Sequence, residues 1–215
     1  MILIPVKNLA TAKQRLASVL DQPTRTELAQ AMLLDVLHAV ANCAYKQVAI
    51  VTTDPYAIHL AQEFNFEIIA DNNVSETAAI ELATQVCESR GIESTLVVPG
   101  DIPLITAQEL DQILKAAPVE GSVLVPAADC RGTNAAFRRP AGLFPLRFGN
   151  DSFKPHLEAA RATGKSCVVL SLPSIALDVD NPSDLRVLSE APGDTHAQRL
   201  IRGWNLATLP IAGNQ

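Results

Sequence analysis

The stretch VVPGDIPLI, residues 97–105, carries the clearest local indication of the fold. An apolar run ends at Gly100, the carboxylate of Asp101 follows, and Pro99 and Pro103 enclose both. Because a proline ring fixes its own φ, the backbone around this acid is stiff. The pattern predicts a buried strand that presents Asp101 at its carboxyl end, where the acid serves either as a turn cap or as a ligand.

The segments on both sides of this stretch alternate in character. Short, continuously apolar runs begin near residues 1, 47, 66, 94 and 122, and helical patterns cover 22–42, 55–65, 75–89 and 106–117. Strands that are buried on both faces give such uninterrupted apolar runs. The alternation therefore predicts an α/β domain with a mostly parallel sheet and helices on both faces.

The rhythm changes after residue 130. Residues 133–139 predict a strand that follows the fifth without an intervening helix, so we expect it to be antiparallel or at an edge. A helix is predicted over 152–163, two short strands over 167–173 and 174–180, and a last helix over 182–190. Thr106 and Glu109 have the spacing of a capping box, and Asn181 is the expected cap of the last helix.

Bulk properties narrow the class of protein. A chain of 215 residues with 48% hydrophobic residues can bury one sizeable core. The net charge of −6 disfavours nucleic acid and anionic membranes as partners. The four cysteines show no Cys-x-x-Cys spacing, and no apolar run approaches the roughly 18 residues of a membrane span. We therefore expect a cytoplasmic protein without a signal peptide, and a homodimer is one option for its oligomeric state.

Ligands of open α/β sheets bind beyond the carboxyl ends of the strands. The segment after the first predicted strand carries Lys7, Lys13 and Arg15 within nine residues, and Asp54 ends the second strand. Phosphate oxygens need donors from several directions, which a cationic turn entering a helix offers. The segment lacks the glycines of a Walker or dinucleotide-binding loop. It predicts a different kind of phosphate site, with a solvated basic loop as the alternative.

The motif LDVDNPSDL places two acids at another predicted strand end. Asp178 and Asp180 are two residues apart, so on an extended strand both point to the same side. Two such carboxylates repel each other unless a cation lies between them. Their hard oxygen atoms suit Mg²⁺, which also binds substrate phosphates. The alternative is that Asp180 simply begins the helix that follows.

The motifs RGTNAAFRRP and FGNDSFKPH form the most basic part of the chain. Thr133, Asn134 and Ser152 offer small polar groups, and Gly149 permits a close approach of the backbone. Ser152 is expected near the start of a helix, where N–H groups favour an anion. A hairpin followed by a capped helix is the alternative. His156, one turn into that helix, is less easily assigned a structural role than the other helical histidines.

Five motifs together resemble the 2-phospholactate guanylyltransferase family, one of the Rossmann-like nucleotidyltransferases of the MobA type. In chain order they are IPVKNLATAKQRL, VVPGDIPLI, GTNAAF, FGNDSFKPH and LDVDNPSDL. The resemblance covers about residues 1–190, taken here as a single nucleotidyltransferase domain, and leaves 191–215 as a tail. It implies a fold of the nucleotide-diphospho-sugar transferase type. It also implies an enzyme that transfers GMP from GTP to 2-phospho-L-lactate, phosphoenolpyruvate or 3-phospho-D-glycerate, and that acts in coenzyme F-420 biosynthesis.

The resemblance also implies roles for individual residues. Lys7, Lys13 and Arg15 are implied to lie on the GTP phosphates, and Lys13, Arg15 and Asp101 are the expected catalytic groups. The expected nucleotide site comprises Pro5, Val6, Lys7, Lys13, Asp54, Pro99 and Gly100. Mg²⁺ is implied at Asp101, Asp178 and Asp180. The acceptor is expected at Thr133, Asn134, Gly149 and Ser152. Thr77 departs from the family pattern, which has an asparagine near the nucleotide.

Two other functions stay open at this point. A transferase of the same fold could use a molybdopterin or sugar-phosphate acceptor, but a glycine-rich loop after the first strand would favour that function and is absent from the sequence. A nucleotide-binding protein without turnover is the second, and the three acids argue against it. A phosphate nucleophile is already ionised near pH 7, so guanylyl transfer needs no general base.

Overall fold

The described residues form one seven-stranded sheet with helices packed on both of its faces. The structure is a computed structural model that describes residues 1–71, 75–149 and 151–204. The strands are β1 Ile2–Pro5, β2 Val48–Val51, β3 Glu67–Ile69, β4 Thr95–Val97, β5 Gly121–Pro126, β6 Thr133–Arg139 and β7 Ser166–Val169. The helices are α1 Gln22–Asn42, α2 Pro55–Glu63, α3 Glu76–Ser89, α4 Ala107–Ala116, α5 Phe153–Ala162, α6 Pro173–Ala176, α7 Pro182–Glu190 and α8 His196–Arg202.

The strand order is β3-β2-β1-β4-β6-β5-β7, and all neighbours are parallel except where β6 pairs with β4 and β5. This confirms the mostly parallel sheet. The order of the strands along the chain reverses at β1, because β2 and β3 lie on one side of it and β4 lies on the other. Since β1 and β4 are parallel, both end at the same edge of the sheet. In doubly wound sheets a ligand crevice opens at that position.

Helix α1 confirms the helix predicted over residues 22–42. The side chain of Asp21 accepts a hydrogen bond from the N–H of Thr24 at 2.9 Å, and a proline follows in the first turn. Leu28, Met32 and Val36 repeat every four residues and are completely buried. The helix packs this face between the sheet and the segment that follows β1, so it also forms one wall of the crevice.

Strand β6 is antiparallel to its neighbours, which confirms one of the two alternatives predicted for it. It does not lie at an edge of the sheet, which was the other alternative. It pairs with β4 and β5 at once. Because it runs against both neighbours, its first residues, Thr133 and Asn134, lie at the edge where β4 and β5 end. This insertion is what carries the GTN motif into the crevice.

The strand predicted over 174–180 is wrong. Residues 173–176 form the single turn of α6, and 177–180 belong to no strand. Pro173 begins the turn, and the carboxylate of Glu109 accepts hydrogen bonds from the N–H groups of Ser174 and Ile175 at 3.1 and 2.9 Å. The capping box predicted at Thr106 is therefore half formed. Thr106 caps α4, but the carboxylate of Glu109 caps α6 instead.

The segment after α7 contains a further helix, α8, which packs against α1. Ala197 and Ile201 are buried, and the carboxylate of Asp35 accepts hydrogen bonds from the N–H groups of His196 and Ala197 at 2.7 and 2.9 Å. The rest of the predicted tail, 205–215, lies outside the described residues. Among the described residues, no helix is both long and apolar enough to cross a membrane.

Candidate active site

Two adjoining cavities open where β1 and β4 end. One has a volume of about 430 Å³ and partly apolar walls, and we name it the nucleoside cavity after the residues predicted to bind the nucleotide, most of which line it. The other, of about 450 Å³, is called the polar cavity. Five residues line both cavities and form the boundary between them: Arg15, Glu76, Pro99, Asp101 and Asp180. The arrangement can hold two ligands side by side, with charged groups between them.

The segment after β1 wraps around the nucleoside cavity. Two short 3-10 helices, Leu9–Thr11 and Gln14–Leu16, shape it, and Ala29, Met32 and Leu33 of α1 supply the apolar wall. Of the residues predicted for nucleotide binding, the following line this cavity: Pro5, Val6, Lys7, Lys13, Pro99 and Gly100. Because these residues come from strand ends far apart in sequence, the sheet topology is what brings them together.

Asp54 lies elsewhere, beside a separate cavity next to α2. One of its carboxylate oxygens accepts from Leu9 N–H at 2.9 Å, and the other accepts from Tyr56 and Ala57 N–H at 2.9 and 3.0 Å. Asp54 thus caps α2 and ties the segment after β1 to that helix. Its place in the fold is that of a structural acid behind the nucleoside cavity.

Lys13 lines the nucleoside cavity and contacts two residues of its boundary with the polar cavity. Its Nζ is 2.5 Å from Asp101 Oδ2 and 2.9 Å from Asp180 Oδ1, and Arg15 Nη1 is 3.1 Å from Asp180 Oδ2. Only 7% of the Lys13 side chain is exposed. Burial alone would lower the pKa of Lys13, but the two carboxylates outweigh it and raise the pKa above its usual value. The ammonium group is therefore charged throughout the physiological range.

The backbone explains how acids from distant segments converge here. The N–H of Val179 donates to the carbonyl oxygen of Asp101 at 3.2 Å, and the Val179 side chain is completely buried between α1 and α7. Asp178 and Asp180 flank this anchored residue. The two acids are therefore not held by a strand, as the sequence predicted. The backbone hydrogen bond and the buried side chain of Val179 hold them in place instead.

Asp178 and Asp180 have opposite electrostatic environments. Burial and the charges of Asp101 and Asp180 raise the pKa of Asp178, although the amide of Asn134 donates to its carboxylate at 3.1 Å. Burial also acts to raise the pKa of Asp180, but Lys13 and Arg15 outweigh it and hold the pKa below its usual value. Of these two acids, Asp178 is therefore the one that a further cation would stabilise more.

The predicted magnesium site stays a prediction. Among the described residues no group of three or more histidine, cysteine, aspartate or glutamate side chains is arranged to hold a metal ion, and the Nζ of Lys13 lies between Asp101 and Asp180. The donor chemistry nevertheless fits a hard cation, because the three predicted ligands offer carboxylate oxygens and line the same polar cavity.

All four residues expected to bind the acceptor line the polar cavity: Thr133, Asn134, Gly149 and Ser152. Asn134 also donates to the carbonyl oxygens of Ile175 and Ala176 at 3.0 and 3.1 Å, so it holds α6 and Asp178 in place. Ser152 is the first residue before α5, but its hydroxyl does not cap the helix. It lies 3.4 Å from the hydroxyl of Thr133.

Sequence reasoning missed three residues of this region. Glu76, at the start of α3, lines both cavities, and burial together with the charge of Asp101 raises its pKa to about 7. Arg131 lines the polar cavity and pairs with Asp151 through its Nε and Nη2 atoms at 2.5 and 3.1 Å. Thr77 accepts a hydrogen bond from Phe148 N–H at 3.1 Å, so it supports the loop before α5. In the sequence, Thr77 was visible as a departure from the family pattern and Arg131 as part of the basic motif RGTNAAFRRP, but neither was assigned a site role.

Comparison with known proteins adds to this geometry. Residues 1–212 match the family described as guanylyl transferase CofC like. A phosphoenolpyruvate guanylyltransferase of Roseiflexus castenholzii is 37% identical over 201 residues, covering 93% of this chain and 92% of that protein. A 2-phospho-L-lactate guanylyltransferase of Methanothermobacter thermautotrophicus is 30% identical over 213 residues, covering 99% and 94%. A solved structure from Desulfovibrio desulfuricans, described as a nucleotide-diphospho-sugar transferase, has a similar fold, with a TM-score of 0.77, 20% identity and coverage of 94% and 93%.

Proposed function

This chain belongs to the guanylyl transferase CofC-like family, and from that membership we propose that it transfers GMP from GTP to a small phosphorylated carboxylate. The observation that carries the proposal is the pair of cavities that share Asp101, Asp180 and Arg15. GTP occupies the nucleoside cavity, the acceptor occupies the polar cavity, and the α-phosphorus lies at their boundary. The reaction belongs to the biosynthesis of coenzyme F-420, as the sequence resemblance implies.

The proposed reaction has one bond-forming and one bond-breaking event. An oxygen of the acceptor phosphate attacks the α-phosphorus of GTP, and a phosphoanhydride forms. The bond between the α-phosphorus and the oxygen that bridges to the β-phosphate breaks, and pyrophosphate leaves with that electron pair. The attacking oxygen is already ionised near pH 7, so the site needs no group to remove a proton.

The main obstacle is the approach of two anions. At about 4 Å, two unit like charges repel each other by roughly 4 kcal/mol at an effective dielectric constant near 20. Lys13 brings a buried, permanently charged ammonium group to the boundary, and Arg15 lies beside it. In the proposed mechanism both cations stabilise the departing pyrophosphate, and catalysis results mainly from positioning and charge stabilisation.

Asp101, Asp178 and Asp180 are the proposed Mg²⁺ ligands. When bound, the ion would neutralise phosphate charge and polarise the phosphoryl oxygen. The raised pKa of Asp178 supports the proposal. Among the described side chains, the one that donates a hydrogen bond to this carboxylate is the amide of Asn134, which is neutral and does not balance the negative charge. Asp101 and Asp180 also hold the Lys13 ammonium group in place.

Arg131 is the proposed partner of the acceptor's carboxylate. The polar cavity carries several acids, and the described cations that line it are Arg15 and Arg131. The ion pair of Arg131 with Asp151 is mostly exposed, at 64% and 60% of the two side chains. Exposed pairs contribute little stability, so Arg131 can exchange Asp151 for a ligand at small cost. The hydroxyl groups of Thr133 and Ser152 then remain for the acceptor phosphate.

The test is a pyrophosphate-release assay with GTP, Mg²⁺ and each of three acceptors in parallel: phosphoenolpyruvate, 2-phospho-L-lactate and 3-phospho-D-glycerate. We expect release that depends on an acceptor, together with a guanylylated product identified by mass spectrometry. Binding of GTP without release for all three acceptors would instead support a nucleotide-binding protein without this activity. A sugar 1-phosphate in a fourth arm tests the other class of transferase with the same fold.

A further inference from the structure

His156 is a buried residue of α5 that bridges the two sides of the polar cavity. Its ring is 1% exposed. Nδ1 lies 2.9 Å from the hydroxyl oxygen of Thr133, and Nε2 accepts the backbone N–H of Arg147 at 2.8 Å. Thr133 lines the cavity directly, and Arg147 begins the short loop that carries Gly149. The histidine therefore joins the strand β6 side of the site to the loop side.

The two contacts determine which ring nitrogen carries the proton. A backbone N–H can only donate, so Nε2 must offer its lone pair to Arg147. Burial, together with the charge of Arg138, lowers the pKa of His156 to about 4, so the ring is neutral near pH 7. A neutral ring has one N–H, which is then on Nδ1 and donates to Thr133.

The hydroxyl of Thr133 is polarised as a result. It has one proton, and His156 already occupies an acceptor position on its oxygen. The Ser152 hydroxyl also donates to the Thr133 oxygen, at 3.4 Å, so the Thr133 proton is left for a ligand in the cavity. Thr133 therefore presents a donor to the cavity. Phosphate and carboxylate oxygens only accept, so the polarity suits an anion.

We propose that His156 is a positioning residue that fixes the Thr133 hydroxyl as a hydrogen-bond donor to the acceptor anion. The inference rests on the proposed function, because it names what the polar cavity binds. In this role, His156 does more than pack α5 or anchor the loop. The loop has a second anchor on its other side, since Thr77 accepts the N–H of Phe148.

Two substitutions distinguish the two contacts of the ring, because each keeps one contact and removes the other. His156→Asn places an amide N–H near the position of Nδ1, where it can donate to Thr133, but it cannot reach Arg147. His156→Gln reaches the position of Nε2 and accepts from Arg147 N–H, but leaves Thr133 without its donor. We expect the Asn variant to keep the acceptor KM within about twofold of wild type, and the Gln variant to raise it roughly five- to tenfold, since tenfold corresponds to about one hydrogen bond.

The KM for GTP serves as the internal control and should stay unchanged in both variants. The opposite order, with Asn the more damaging substitution, would show that His156 acts by anchoring the loop and would overturn the proposal. Thr133→Val supplies a second check through a double-mutant cycle. In the Thr133→Val background, His156→Gln should add no further increase in acceptor KM, and a fully additive increase would contradict the inference.

A measurement without turnover keeps this inference separate from the proposed function. In the ¹⁵N NMR spectrum of the histidine rings, we expect His156 to be protonated at Nδ1 and unprotonated at Nε2 between pH 6 and 8, as the contacts require. Protonation at Nε2 would overturn the inference even in an active enzyme. If wild-type protein releases no pyrophosphate with any acceptor, the proposed function fails, and direct titration of the His156 variants with phosphoenolpyruvate still tests the donor role.

Discussion

The boundary around Lys13 and the polar cavity around His156 are built on different physical principles. At the boundary, a buried ammonium group lies between Asp101 and Asp180, and the backbone of Lys13 adopts the left-handed conformation, with φ of 55°. In the polar cavity, Thr133, Ser152 and His156 are neutral, almost fully buried and connected by hydrogen bonds. In the proposed mechanism, the charged groups lie where phosphate bonds change, and the neutral donors face the acceptor.

The difference has energetic consequences. A non-glycine residue in the left-handed conformation costs on the order of 1–3 kcal/mol and persists only where its surroundings enforce it. At Lys13 the surroundings are two ion pairs, which a triphosphate can replace. In the polar cavity the cost of burial is met by hydrogen bonds that no ligand needs to break. The boundary is therefore suited to exchange partners, and the buried hydrogen-bond network of Thr133, Ser152 and His156 is preorganised.

Asp101→Asn should show the largest effect, because it changes the charge balance at the boundary. We expect GTP to bind still and turnover to fall on the order of 10²–10³-fold, the scale for loss of a preorganised electrostatic contact in a site. Steady-state kinetics with calorimetric GTP titration separates the two quantities. Asp129→Asn is the matched control, since Asp129 also follows a strand and lines the polar cavity but caps only its own turn. Near-normal turnover of Asp101→Asn would contradict the assigned role.

Thr133→Val tests the polar cavity with a smaller expected effect. The substitution keeps the shape of the side chain and removes the hydroxyl that His156 polarises. A hydrogen bond to a charged group contributes about 1.5–3 kcal/mol, so the acceptor KM should rise roughly 10- to 100-fold. The KM for GTP should change little. An equal rise for both substrates would mean that the two cavities do not bind separate ligands.

The same contrast explains how much the sequence could predict. Periodicity is local, so α1 and the parallel strands were predicted from neighbouring residues. Asp101 and Asp180 were also recognisable as candidates, because each follows an apolar run, and so was Lys13. Their pairing with Lys13 was not predicted, since Lys13 is 88 residues from Asp101 and 167 from Asp180, and no pattern encodes that distance. Contacts between distant residues depend on strand order, which apolar runs do not specify.

The errors of prediction have the same origin. Strand β6 was expected at an edge as one option because its sequence gives no sign that it inserts between β4 and β5. Glu109 has the spacing of a capping residue for its own helix, but the N–H groups of α6 compete for its carboxylate. His156 could not be assigned a role from sequence, because both of its partners come from other segments. In each case a tertiary contact replaced the local one.

Asp178→Asn addresses the stability cost of the charged boundary. Because the folded-state pKa of Asp178 is raised, its ionisation opposes folding fully above that pKa, and not at all below the unfolded value near 4. The amide can still accept from Asn134, so without Mg²⁺ we expect a higher Tm at pH 7, with each kcal/mol worth roughly 2–4 °C in a chain of this size. The gain should disappear below about pH 4, where wild-type Asp178 is also neutral.

Calorimetry at pH 7 and pH 3.5 checks both parts of that prediction. The same variant should lose turnover, so that stability and activity change in opposite directions. A variant that is less stable than wild type at pH 7 would show that Asp178 supports folding rather than opposing it. Asp180→Asn is the natural comparison, because the pKa of Asp180 is held low by Lys13 and Arg15. Its loss should lower stability at pH 7.

The smallest effects are expected at the exposed ion pair over the polar cavity. Arg131→Gln removes the proposed partner of the acceptor's carboxylate, and Asp151→Asn frees Arg131 from its present partner. The two substitutions should therefore shift the acceptor KM in opposite directions, up for the first and down for the second, by roughly two- to fivefold given the weakness of exposed pairs. A purely structural pair would give shifts of the same sign, since either change breaks the same contact. Opposite signs in parallel kinetic assays would show that Asp151 competes with the substrate for Arg131, and would locate an exchangeable charge beside the neutral hydroxyl groups of Thr133 and Ser152.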